Sequence, residues 1–331
     1  MILLLFAVII SISFVRGNFA TRIANKRWRL RSRKTHSSLF RHEIYKILVT
    51  QKGILVFVFL AISQVVIASN LPPIGSDEFY YQNYMEQLSE LWNEDKEEFI
   101  VDEQERFNDL DQLAMEAQEK YNRSEISEHE LSATNQYVAT NKLPFNSFLK
   151  VLDKVDMMKQ GEEKEQVLVY ETGYNLLLGK SYFGLSNELI QISIFIACLI
   201  VLLTLYMAEE YETDMINIIK TTVNGRANLI STKIILGLLT TIIMYIISFL
   251  PSLLMVNQLY PLNNLSAPLS SISSMDYVMP DLSISIGGYL SIIYIIRFVT
   301  AVCTFLLSYI VACKLERSNV AIALLTTVTV V

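Results

Sequence analysis

The stretch GYNLLLGKS, residues 173–181, contains the chain's one Gly-Lys-Ser, the residues with which a glycine-rich loop grips a phosphate. Such a loop needs four residues between its glycines, so that successive backbone N–H groups close around the anion. Five residues separate Gly173 from Gly179, so no nucleotide-hydrolysing loop is expected. The chain has no H-E-x-x-H, no C-x-x-C and no G-x-S-x-G. His42 has no second metal ligand near it in sequence, His129 lies among acids and reads as a surface residue, and D-x-D-x-D-G, the calcium-loop pattern, does not occur. Cys198, Cys303 and Cys313 all fall in apolar runs, where they read as packing side chains. The chain is therefore not read as an enzyme by itself. No catalytic residue, metal or cofactor is expected in it.

Two sets of charged residues remain. One is EEYETDMINIIKTTVNGRANLISTK, residues 209–233, between two almost purely apolar runs. The other is Arg297 in SIIYIIRFVTAVC, a cation deep in an apolar run, where charge is costly and faces protein or water. Glu188, Asp281 or a backbone carbonyl are its expected partners.

The elements that must position these charges are membrane spans. The 331 residues are 52% hydrophobic, and the apolar residues come in blocks. A helix needs about 20 apolar residues to cross roughly 30 Å of hydrocarbon. Residues 186–207 and 234–257 reach that length, 53–69 only just, and 282–313 exceed it. Gly287-Gly288 is expected to break the longest run into a surface helix and a span from about 289 to 313. Residues 1–15 read as a further span or anchor, and 319–331 as the start of another. Both ends read as cuts in a longer chain. The expected fold is an all-α polytopic membrane protein with a mostly helical extracytoplasmic domain between two spans.

Charge sets the expected orientation. Residues 16–52 carry eleven Lys and Arg against one acid, Glu43, and short basic flanks are retained in the cytoplasm. That segment reads as a basic cytoplasmic linker drawn to the lipid surface, not to nucleic acid. Within it Phe40, Ile44, Ile47 and Leu48 form the stripe of an amphipathic connector helix, with Arg41, His42 and Lys46 facing elsewhere. Residues 77–188 hold twenty-five acids against ten Lys and Arg. Long polar loops translocate regardless of charge, so 70–185 is expected outside. Its stripes, Tyr81, Tyr84, Leu88 and Leu91, then Phe107, Leu110, Ala114, Ala117 and Tyr121, then Phe148, Leu152 and Val155, predict a helical hairpin or small bundle with a solvated acidic face, and Leu143-Pro144 predicts a helix break. Loop 208–232 then lies inside by the parity of spans. The expected localisation is the cell membrane, multi-pass.

Within 209–226, Tyr211, Met215, Ile218 and Ile219 predict a short amphipathic helix, with Glu210, Asp214 and Asn217 pointing away. Asn224-Gly225 reads as the turn that ends it. A bare connection needs only a few residues, so the excess predicts docking.

This stretch resembles the coupling loop of exporter-type (type 2) ATP-binding-cassette transporter permeases. Their pattern is roughly E-x-x-x-G, a helix, P-x-x-R, and a Lys at the next span. Glu210, Arg226 and Lys233 match it; Asp214 stands where the pattern has Gly, and Val223 where it has Pro. LFRHEIYKILVTQKG resembles the connector helix of the same family. The resemblance implies a permease subunit driven by a separate cytosolic ATP-binding subunit, which would bind the ATP. It also implies a second permease half or homodimer partner in the lipid bilayer. Glu210, Tyr211, Asp214, Ile218, Arg226 and Lys233 are the implied ATPase-coupling residues. The alternative is a membrane sensor or accessory subunit that binds an extracellular peptide or ligand through the acidic domain.

Overall fold

The computed structural model describes residues 38–89, 92–160, 167–219, 221, 225–272 and 284–330. The span expected over 1–15 and most of the basic linker lie outside these residues. Among them the chain is mostly helical and forms no strand, with one isolated bridge, Pro268 to Ser285, so the all-α expectation holds. The chain divides into two compact units.

One unit comprises residues 1–67, 189–252 and 295–331. It opens with α1 (Leu39–Tyr45), which runs into a π-helical turn (Lys46–Thr50) and then α2 (Gly53–Ser69). The two parts are bent by 61°. The bend follows from local chemistry. Lys52 takes a left-handed backbone with φ 55°. Any side chain at Gly53 would lie 2.5 Å from the Ile47 carbonyl oxygen, so only glycine lets the chain turn this tightly.

Three helical stretches are long and apolar enough to cross a membrane: Thr172–Glu212, Ala227–Leu259 and Ile286–Leu315. The bent pair makes a possible fourth. They correspond largely to α8 (Tyr182–Glu212), α10 (Gly225–Leu259) and α11 (Ile286–Leu315). Between α8 and α10 lies the five-residue α9 (Met215–Ile219), and α12 (Ser318–Val330) ends the unit. Gly237 lets α10 approach its neighbours closely, since a Cβ there would run into Phe305 and Met207. The run from 282 is not one helix, since residues 284 and 285 are non-helical and α11 begins at Ile286; the surface helix expected before Gly287 falls partly outside the described residues. Both glycines sit inside the first turn of an unbroken α11, where the backbone amides have no intrahelical partner to lose. At ~1.5 Å per residue α11 is about 45 Å long, longer than the hydrocarbon is thick.

The second unit comprises residues 68–188 and 253–294. Its helices are α3 (Ser76–Gln87), α4 (Glu94–Asn122), α5 (Glu128–Asn141), α6 (Phe145–Gln160) and α7 (Thr172–Leu177). Start signals are plain. Asn93 caps α4 by accepting from the Lys96 amide at 3.1 Å, and Glu94, Asp95 and Glu97 complement the helix dipole. Ser127 and Glu130 close a full capping box on α5. The Leu143-Pro144 break separates α5 from α6 as expected. α4 pairs with α5, and α3 with α6. The core gathers Tyr81, Tyr84, Leu88, Phe107, Leu110, Phe148 and Val155, the stripe positions, around Met85 and Val151. Tyr121, the last position of the α4 stripe, is exposed instead, because it lies in the final turn, beyond the packed core.

Candidate functional site

Acidic residues end α8 in the sequence Glu209-Glu210-Tyr211-Glu212, and three of their carboxylates reach three different segments. The Lys46 ammonium, on the π turn after α1, pairs with Glu210 Oε1, with Glu209 Oε2 at 3.5 Å and with Glu43 Oε1 at 3.8 Å. Lys233, two turns into α10, pairs with the other oxygen of Glu210 and donates to the Tyr206 carbonyl at 2.7 Å. Its ammonium also lies 4.3 Å from the centroid of the Tyr206 ring. Gln51 Nε2 donates to Glu209 Oε2 at 2.8 Å. Glu212 Oε1 accepts both the amide and the hydroxyl of Ser318, each at 2.6 Å, and so caps α12.

This knot is buried. Glu43 is 1% exposed, and Glu210 and Lys233 are 4% exposed. Three carboxylates face two ammonium groups, so the cluster carries one excess negative charge. The Tyr206 hydroxyl lies beside Glu43, yet neither it nor Glu43 Oε2 completes a hydrogen bond of ordinary geometry. Charges this far from water persist only when closely paired, because desolvating an ion costs several kcal/mol.

The residues expected to couple to a partner separate into two groups. Glu210 and Lys233 turn inward, into the knot. Asp214 is exposed and takes φ 56°, the left-handed backbone for which Gly is the default and Asp among the tolerated alternatives. It breaks the helix, so the stripe read across 211–219 does not form on one continuous face. After the break Ile216 is buried, while Met215 and Ile218 are 49% and 63% exposed. Tyr211 is half-buried. Gly225 begins α10 rather than ending the preceding helix, and Arg226 lies in that first turn, its side chain outside the described residues.

The connector helix also differs from its apolar stripe. Ile47 is buried, but Phe40 is exposed and Ile44 and Leu48 are half-buried. The inward face centres on Glu43 and Ile47, and Lys46, expected to face away, points into the knot. Apolar periodicity cannot register this, since Lys46 is drawn inward by carboxylates 164 residues along the chain. Glu43, Lys46, Gln51, Glu209, Glu212 and Ser318 were all missed as site residues. The signal available was a lone acid in a basic segment, Glu43, and an unusually acidic helix end.

Arg297 has an aromatic neighbour. Its guanidinium carbon lies 5.5 Å from the Phe249 ring centroid, within a cluster that includes Phe195, Tyr245 and Phe298. A guanidinium over an aromatic face gains cation–π stabilisation, more so where water is scarce. Of the expected partners, Asp281 lies outside the described residues and Glu188 belongs to the other unit. In GYNLLLGKS, Gly173 is buried at the start of α7 and Gly179 turns the chain with φ 63°, so the intervening residues wind a helix instead of a phosphate cradle. Comparison with protein-family models, with curated proteins and with solved structures returns no match.

Proposed function

We propose that the chain is the membrane permease subunit of an ATP-driven exporter, moved by a separate cytosolic ATPase. The observation that carries this reading is the knot at the end of α8. It joins the pre-span segment, α8 and α10 through one carboxylate, Glu210, and stands at the base of a short helix that presents Met215 and Ile218. A force applied to α9 would therefore pass to several spans together. The left-handed backbone at Asp214 supports the same reading, since it falls where the permease pattern has Gly.

The roles shift accordingly. Met215, Ile218 and the polar residues beside them form the contact surface, while Glu210 and Lys233 hold its base. The acidic helical unit would lie on the extracytoplasmic side.

The test keeps the knot intact. Tagged full-length chain is purified from its native membranes in gentle detergent, as wild type and as Met215→Asp/Ile218→Asp. The reading expects ATP hydrolysis and a phosphate-loop subunit with the wild type, both lost from the double variant while the variant remains inserted. Wild-type protein without ATPase activity, or a double variant that keeps it fully, would sink the reading.

A further inference from the structure

A cleft of about 450 Å³ opens in the polar helical unit between α3, α6 and the start of α7. We infer that it binds a primary ammonium group attached to an apolar body. This inference concerns a different site from the knot and holds whether or not an ATPase drives the chain.

The charges of the lining decide the ligand's sign. Glu78, Asp153 and Glu171 line the cleft against Lys150 and Lys154. Lys154 is already engaged: it is buried, donates to the Val169 carbonyl at 2.7 Å and pairs with Glu171 at 3.1 Å. Glu78 accepts a hydrogen bond from the Tyr170 hydroxyl at 2.5 Å, which orients its carboxylate without neutralising it. The cleft is left with one uncompensated negative charge. Burial raises the Tyr81 phenol on its wall above its ordinary pKa, and the fields of Glu171 and Glu78 add to the rise.

The remaining walls suit the rest of such a molecule. Tyr81 reaches the wall from the core, and the chain's own Lys150 ammonium lies 6.0 Å from that ring's centroid. Leu176 and Pro72 line the apolar side, and Met157 and Phe183 are exposed at the cleft. An anion would face three carboxylates there, and a neutral molecule would leave the excess charge unanswered. An ammonium adds ion pairs with Glu78 and Asp153 while its apolar part covers Met157 and Phe183. The volume falls within the roughly 300–1,000 Å³ usual for small-molecule sites.

Calorimetric titration of the purified full-length protein with 2-phenylethylamine tests this. 3-Phenylpropionate and 2-phenylethanol serve as anionic and neutral counterparts. Saturable binding of the amine, about tenfold tighter than either counterpart, is expected for one charge-assisted hydrogen bond. Glu78→Gln with Asp153→Asn should weaken amine binding about tenfold and leave the alcohol unchanged. Lys150→Met, which removes a competing cation at an exposed position, should tighten amine binding by roughly threefold. Should the Glu78 variant fail to fold, Asp153→Asn and Lys150→Met, both at the surface, carry the test. Leucyl-phenylalanine amide separates the sources: tighter binding than phenylethylamine assigns the site to peptide amino termini, weaker binding to small free amines. No saturable amine binding, equal binding of acid or alcohol, or weaker amine binding in Lys150→Met would overturn the inference.

Discussion

Lys154 and Lys233 are two buried lysines, one in each unit, and their local contacts are almost the same. Each pairs with one glutamate, Glu171 or Glu210, and each donates to a backbone carbonyl at 2.7 Å. They differ in what the glutamate does next. Glu171 is partly open and lines a cleft, so water or a ligand can share its charge. Glu210 is closed off and shared with a second lysine, Lys46. The same pair therefore serves as a strut beside an opening in one unit and as a junction of distant segments in the other. Burial of a charge is weak evidence of stability in itself; the number of segments that depend on the charge is the better guide to its role.

The difference can be broken most severely at Lys233. Lys233→Met leaves the buried Glu210 with one partner, and removing one member of such a buried pair costs about 3–5 kcal/mol. Thermal unfolding of the purified protein in detergent should show the largest drop of any single variant considered. Lys154→Met should cost less, about 1–3 kcal/mol, because Glu171 can be rehydrated through the cleft. That variant also has a pH signature. Burial lowers the Lys154 pKa below 10.5, with Glu171 opposing the shift. The folded state thus resists protonation more than the unfolded state, and the penalty is relieved as pH rises through the folded pKa towards 10.5. Wild type should gain on Lys154→Met over that alkaline window and show a constant offset below it. Measured melting points that stay parallel at all pH values would remove Lys154 from the account. Smallest is Asn93→Ala, which deletes the α4 cap without touching a buried charge and should cost about 1 kcal/mol. It sets the scale against which both lysines are read.

Much of the polar unit was legible in the sequence, because its rules are local. Phe107 and Leu110 are three residues apart on one face of α4, and Phe148 and Val155 are seven apart on one face of α6, so each stripe is set within its own helix. Caps such as Ser127 announce themselves within one turn. The three helices long and apolar enough to cross a membrane were legible by apolar length alone. The knot was not. Glu210 and Lys233 were picked out, but as charges offered to a partner, whereas their partners are each other and Lys46. Nothing in spacing reveals that a lysine 164 residues upstream will turn against its own helix stripe to reach a carboxylate. The loop stripe failed for a related reason. It assumed one helix through 211–219, and a single left-handed residue, Asp214, reset the phase. Gly287-Gly288 mark where the long run becomes a span to within a few residues, since α11 begins at Ile286 and the glycines sit in its first turn, where they interrupt no hydrogen bond.

Glu210 joins α8 to α10 and to the pre-span segment. A double-mutant cycle of Glu210→Gln and Lys233→Met, read by unfolding of the full-length protein, tests it most directly. A junction predicts strong non-additivity, a coupling of about 2 kcal/mol, with the double variant costing clearly less than the sum of the singles. Additivity to within about 0.5 kcal/mol would mean that the two side chains do not depend on each other, and would contradict the account.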